Sequence, residues 1–360
     1  MKKMLYLMHI DWRWIKQRPQ FLAEELAKYY KVSLLFQHRY GKDGFQQTAK
    51  NKEIKYCPVY VIPRGDRNPI LRKVNRYILK LVISFWSLLI RPEIIYVCSP
   101  KYCDCIKRNK NTIIVYDCMD DHVALASDNK IEVLEQEEKL INQCDFVLAS
   151  SQYLIDKVLP YRGAPRYKCK LIRNGFSGTK AQTSTIVSQK KQSNNVFNLC
   201  YIGTIGSWFD FETIGKCLEQ CENVVVHLIG PADSSVKQRY QSERLIFHGT
   251  IEHGQLQSMI EKYDCLIMPF LVNDVVKAVD PVKLYEYIDF GKNIISCKYE
   301  EIERFSPFVF FYENAHEFVE IVNSLKEDNR RKYSNTERDL FLTNNTWAER
   351  ARVISEMLGV

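Results

Sequence analysis

Short apolar runs alternate with amphipathic stretches along nearly the whole chain. The first half reads MLYLMHI, RPQFLAEELAKYY, VSLLF, EIIYVCS, TIIVYDCM and DFVLASS in that order. Apolar runs of strand length, separated by segments of helical spacing, predict βα units and a parallel sheet covered by helices. The clearest helix begins at Pro19, with Phe21, Leu22, Leu26 and Tyr29 or Tyr30 at helical intervals and proline in the first turn. Another is predicted over residues 131–144, ending at Cys144 before DFVLAS.

Residues 175–196, GFSGTKAQTSTIVSQKKQSNNV, are polar and without apolar periodicity, the pattern of an interdomain linker. The alternation then resumes with FNLCYIG, a helix near 210–221, NVVVHLIG, RLIFHGT, a helix near 253–262, DCLIMPF, a helix near 281–290 and NIISC. Two consecutive doubly wound units account for the 360 residues, a length at which a single core stops growing comfortably.

Composition narrows the class. Apolar residues make up 46% and charged residues 26%, an ordinary globular profile. The opening MKKMLYLMHIDWRW is interrupted by His9 and Asp11 and lacks a cleavage site, so it is expected to be a buried first strand and no signal peptide. Twelve cysteines in a chain of this size are expected to be reduced thiols in a cytoplasm. Neither Cys103 with Cys105 nor Cys217 with Cys221 has a matching pair at zinc-site spacing, so no metal is expected.

The net charge of +8 is unevenly spread: residues 1–175 carry 31 Lys and Arg against 18 Asp and Glu, a balance of +13. Such a half suits nucleic acid, an anionic membrane surface or an acidic substrate. No nucleic-acid motif accompanies it. Arg64, Arg67, Arg72, Lys73, Arg76 and Lys80 lead into YILKLVISFWSLLI, too short to span a bilayer at about 20 residues. That segment suits either a helix lying peripherally on the anionic inner face of a membrane or a core helix of the first domain.

Four places carry candidate chemistry. Gly203 and Gly206 in YIGTIGS follow a strand and precede a helix, where backbone N–H groups can approach a phosphate; a simple tight turn is the plainer reading. The order GTIG is not the dinucleotide fingerprint. In DPVKLYEY a helix opening at Pro281 puts Lys283 and Glu286 on one face, either to bind phosphate and ribose or as a surface ion pair. In VYDCMDDH, Asp117, Asp120, Asp121 and His122 fall at a strand end, where a general base or a helix cap is expected. His9, Asp11, Trp12, Arg13 and Arg18 follow the first strand and could line an acceptor site.

These motifs, in this order, resemble bacterial GT-B glycosyltransferases similar to those of teichuronic acid and exopolysaccharide synthesis. The second half carries YIGTIGSWFDFETI, HLIGPAD, IFHGTIEHGQLQSMIEKYDCLIMPF and DPVKLYEYIDFGKNIIS; the first carries HIDWRWIKQRPQFLAEELA and LIRNGF. The resemblance implies two Rossmann-like domains facing across a cleft: an acceptor domain over 1–178, a nucleotide-sugar domain over 195–340, and a closing helix in 341–360 that returns to the first domain. It implies a nucleotide-sugar donor, UDP-linked in similar proteins, and a glycan or lipid-linked acceptor, with no cofactor and no protein-bound metal. The implied donor residues are Gly203, Thr204, Ser207, Gly230, Gly249, Pro269, Phe270, Asp280, Pro281, Lys283 and Glu286. Its implied acceptor residues are His9, Asp11, Trp12 and Arg18. Ala278 stands where retaining relatives carry a first glutamate, which fits an inverting transfer with Asp120 or Asp121 as base. A nucleotide-sugar epimerase on the same fold and a degenerate sugar- or partner-binding protein are the alternatives.

Overall fold

The alternation of strand and helix folds into two compact units, each with its own parallel sheet. The computed structural model describes residues 1–38, 51–63, 68–126, 129–177, 196–240, 242–251 and 253–359. Most of the linker expected at 175–196 lies outside the described residues, as do Arg64 and Arg67.

Unit 1 comprises Met1–Ser177, Ala278–Asp280 and Thr346–Val360. Its chain runs β1 (Lys3–Met8), α1 (Arg18–Leu26), β2 (Lys31–His38), β3 (Lys55–Tyr60), α2 (Pro69–Ile90), β4 (Ile94–Val97), β5 (Ile113–Cys118), α3 (His122–Leu125), α4 (Lys130–Gln143), β6 (Phe146–Ala149) and β7 (Cys169–Leu171). The sheet order is β3-β2-β1-β4-β5-β6-β7. Strands covered on both faces read as continuous apolar runs: all four residues of β4 and the last five of β1 are buried. The chain reverses its direction of winding between β1 and β4, the place where such sheets open a crevice at their carboxyl edge.

Unit 2 comprises Gly178–Lys277 and Pro281–Asn345. It runs β8 (Phe197–Ile202), α5 (Phe211–Gln220), β9 (Val224–Ile229), α6 (Ser234–Arg239), β10 (Leu245–Gly249), α7 (His253–Ile260), β11 (Cys265–Met268), α8 (Asp274–Lys277), α9 (Val282–Asp289), β12 (Asn293–Cys297), β13 (Val309–Tyr312), α10 (Ala315–Glu327) and α11 (Asn335–Asn344). Its order is β10-β9-β8-β11-β12-β13, so the winding reverses between β8 and β11.

The last helix, α12 (Trp347–Met357), belongs to unit 1. Trp347 stacks on Phe21 of α1 with ring centroids 5.1 Å apart and planes 7° from parallel. The segment read as 341–360 is thus divided, its first residues through Asn345 lying in unit 2.

Helix α2 settles into the core along one side only. Leu79, Ile83, Ser87 and Ile90 are buried, whereas Phe85, Leu88 and Leu89 point outward at 59–75% exposure. All twelve cysteines are free thiols, and all but Cys169 are buried. No helix among the described residues is long and apolar enough to cross a membrane.

Candidate functional site

The glycines that end the strands of unit 2 form one row along its carboxyl edge. Gly203 after β8 donates its N–H to Ile229 O at 2.8 Å, and Gly230 after β9 donates to Gly249 O, also at 2.8 Å. Gly203 and Gly230 hold φ values of +149° and +140°, which side chains other than glycine's rarely adopt. A β-carbon on Gly230 would collide with the carbonyl oxygen of Gly203, so the two backbones touch.

Lys283 lies against this row. A β-carbon on Gly203 would collide with Lys283 Cε and sit 2.9 Å from its Nζ. Lys283 stands in the first turn of α9, whose cap residue Pro281 offers no side-chain acceptor to the helix's opening N–H groups. Burial lowers the lysine's pKa, with Glu286 one turn on opposing that shift. The ammonium has no hydrogen-bond or ion-pair partner among the described residues. A desolvated cation at the uncapped start of α9, at a point where winding reverses, is built to receive an anion.

The loop that carries Gly203 is fastened by its neighbours. Tyr201 Oη donates to Thr204 O at 2.9 Å, and Asp210 N donates to Pro269 O at 2.9 Å. Phe209 and Phe270 pair as an isolated bridge, and Tyr201 packs edge-on against both rings. Pro269 is buried beneath the loop, while Thr204 and Ser207 remain exposed on it. Tyr201 went unrecognised in the sequence because a strand tyrosine reads as core.

At the carboxyl edge of unit 1, His9 after β1, Lys101 after β4 and Asp120 and His122 after β5 are all partly exposed. Lys101 Nζ donates to His9 O at 3.3 Å, and the His9 and His122 rings meet edge to face at 6.5 Å. The two neighbouring aspartates differ in kind. Asp121 accepts from the N–H groups of Val123 and Ala124 at 3.1 and 3.0 Å and faces Arg162 at 3.5 Å, so it caps α3. The Asp120 carbonyl accepts from Cys118 Sγ at 3.5 Å, while its carboxylate has no hydrogen-bond or ion-pair partner among the described residues. Its position is held by Ser150, whose Oγ donates to Met119 O at 2.8 Å.

Dense surroundings push the Asp120 carboxyl up to about 7; Arg18 opposes the rise and Asp117 and Asp121 add to it. The residue is partly exposed all the same. Burial lowers His122 to about 4, so its imidazole is neutral near pH 7.

Three of the residues expected to meet an acceptor are built into the core of unit 1. Arg18 Nη2 donates to Asp117 at 2.7 Å, and Arg18 Nη1 donates to Ile172 O at 2.7 Å and to Asn174 Oδ1 at 3.2 Å. Burial works against the guanidinium's charge, but Asp117 outweighs it and keeps Arg18 protonated. Asp11 is 1% exposed and accepts from the N–H and the guanidinium of Arg13, and Trp12 is buried against Tyr56. Of that group His9 and Arg13 are partly exposed.

Asp280 departs from the donor set in the same way. It is 1% exposed, its carboxylate accepts from Asn174 N at 2.7 Å, and its carbonyl accepts from Asn174 Nδ2. Ala278 beside it is fully buried and its carbonyl accepts from Ser151 Oγ at 2.7 Å. Asn174, in LIRNGF, is the residue that ties Arg18 to Asp280, and nothing in its local sequence signals this. A cavity of about 570 Å³ in unit 1 opens at the starts of β2 and β3, the edge opposite these groups.

No family model matches the chain. Over 217 residues it is 25% identical to TuaH of Bacillus subtilis (strain 168), a protein assigned by name to glycosyl transfer in teichuronic acid biosynthesis; the match spans 55% of this chain and about half, 54%, of that relative's length. Among solved structures it is similar to HepE of Anabaena in complex with UDP and glucose, with a TM-score of 0.72 and 18% identity over 99% of each chain. It is also similar to sucrose-phosphate synthase of Thermosynechococcus elongatus, with a TM-score of 0.76 and 13% identity over 99% of this chain and 98% of that one. These likenesses show that the chain has the GT-B fold.

Proposed function

We propose that this GT-B chain is a glycosyltransferase that takes a sugar from a nucleoside diphosphate carrier, preferentially UDP, and delivers it to a glycan or lipid-linked hydroxyl acceptor. One observation carries the reading: the unpartnered ammonium of Lys283 rests on the Gly203 backbone at the reversal point of the unit 2 sheet. HepE, with the same fold, holds UDP and glucose, and TuaH bears a glycosyl-transfer name.

In this reading Lys283 and the opening N–H groups of α9 meet the diphosphate beside the Gly203 backbone. Glu286, one turn along the same helix, accepts from the ribose hydroxyls. Asp120 is the group in unit 1 suited to take the acceptor's proton, being unpartnered and basic enough to act near neutral pH. Loss of that proton makes the acceptor oxygen nucleophilic as the bond between anomeric carbon and diphosphate breaks. Direct displacement inverts the anomeric centre. The donor is a substrate, so no resident cofactor is assigned. Eleven buried thiols support a reducing cytoplasm as the compartment.

Calorimetric titration with UDP, GDP, ADP and CDP tests the donor assignment. UDP is expected to bind most tightly, and Lys283→Ala to lose about 10- to 100-fold in affinity, the range of a charge-assisted hydrogen bond. Equal affinity of the wild type and Lys283→Ala for every nucleotide would overturn it.

A further inference from the structure

Helix α2 is apolar on two opposite sides. The inner side, with Leu79, Ile83 and Ile90, is buried in unit 1. On the outer side Ile70, Val74, Tyr77, Leu81, Phe85 and Leu88 recur every three or four residues and so form one stripe. All six are exposed, from 40% at Val74 to 75% at Leu88. A helix of 22 residues carries such a stripe for roughly 30 Å. Ordinary surfaces scatter their apolar residues singly, and a continuous stripe marks a surface that meets an apolar phase.

Charge selects what that phase is. The helix contains Arg72, Lys73, Arg76 and Lys80 and no acidic residue. Arg72 and Arg76 are taken up by Glu132 of α4. Lys73 and Lys80, two turns apart on one flank of the stripe, are exposed and have no hydrogen-bond or ion-pair partner among the described residues. A second copy docking through this face would set these cations against a helix with no carboxylate to meet them. An anionic lipid surface satisfies the stripe and the lysines together.

We propose that the outer face of α2 binds an anionic phospholipid surface. The six apolar side chains enter the boundary between headgroups and acyl chains, and Lys73 and Lys80 meet lipid phosphates. The helix lies in that plane along its length. This assignment rests on α2 alone and stands apart from the donor site.

Flotation of the full chain with phosphatidylcholine vesicles and with vesicles rich in phosphatidylglycerol tests it. The protein is expected to float with the anionic vesicles only, and less as salt rises. Lys73→Gln with Lys80→Gln should weaken binding roughly 30-fold. Phe85→Ser with Leu88→Ser should weaken it by about 10-fold or more. Melting temperatures are expected to stay at the wild-type value because these side chains are exposed; should a double variant melt early, the single Leu88→Gln replaces it. Three results would each overturn the proposal: no flotation of the wild type with either vesicle, equal flotation of the wild type and the Phe85/Leu88 variant, or a lipid-free dimer in light scattering that dissociates in that variant.

Discussion

The aliphatic stem of Lys283 lies across the backbone of Gly203 with no room for a methyl group between them: a β-carbon there would collide with Cε and fall 2.9 Å from Nζ. Gly203→Ala should therefore displace the ammonium and strain a backbone held at φ +149°. UDP affinity is expected to drop by about 10- to 100-fold, as for Lys283→Ala. Because both changes remove one interaction, the double variant should be little worse than either single one. Calorimetry on the three variants checks this, and additive losses would show that the glycine and the lysine act separately.

Arg18 and Asp117 are 3% and 0% exposed and bonded at 2.7 Å, which makes removal of either partner costly. Asp117→Ala should lose about 3 to 5 kcal/mol of stability, since it leaves a buried guanidinium without its counter-charge. Arg18→Met combined with Asp117→Leu should recover much of that loss. Urea unfolding of both variants measures it, and a cost below about 1 kcal/mol for Asp117→Ala would mean that Arg18 finds solvent when its partner is gone.

How much of this was legible in the sequence depended on how local the physics is. A glycine after a strand and a Lys–Glu pair at helical spacing signal themselves within a few residues, so Gly203, Gly230, Lys283 and Glu286 were all singled out. The buried polar chain from Asp117 through Arg18 and Asn174 to Asp280 is different: its bonded partners lie 99 to 156 residues apart, and a buried ion pair has no local pattern. Arg18, Asp11 and Asp280 therefore read as ligand-binding polar residues. For α2, apolar residues on opposite sides of the wheel left inside and outside undecided until Leu79, Ile83 and Ile90 were seen to take the core.

Asp121 should behave as a cap and nothing more. Asp121→Ala removes the acceptor of two helix N–H groups and should lose about 1 kcal/mol of stability. Asp121→Asn, which keeps the accepting oxygen, should lose a few tenths. Turnover of Asp121→Asn in a transfer assay is expected within a few-fold of wild type. A hundred-fold fall in that variant with its melting temperature unchanged would move the catalytic role to Asp121.

Asp120 carries two pH signatures of opposite sense, and together they separate a base from a bystander. Its pKa is about 7 in the folded protein, pushed there by burial against the opposing Arg18 and with Asp117 and Asp121 adding to the rise; in the unfolded chain it is about 4. Between those values the folded state holds a proton that the unfolded state has released, so this group makes stability fall as pH rises from about 4 to about 7 and adds no further change above that. Asp120→Asn lacks the slope, and its melting temperature should gain on the wild type across the same window. Transfer needs the carboxylate free of its proton, so kcat/KM should instead rise with pH and level off above about 7. The Asn variant should turn over about 100- to 10,000-fold more slowly while binding UDP as tightly as the wild type. Calorimetry, melting curves and rates on the one variant, with the product's anomeric configuration, read all of these. A buried carboxyl with no part in the chemistry would still give the stability crossover but leave the rate profile alone, so near-normal turnover in Asp120→Asn, or a retained configuration, would remove Asp120 as the base whatever its titration.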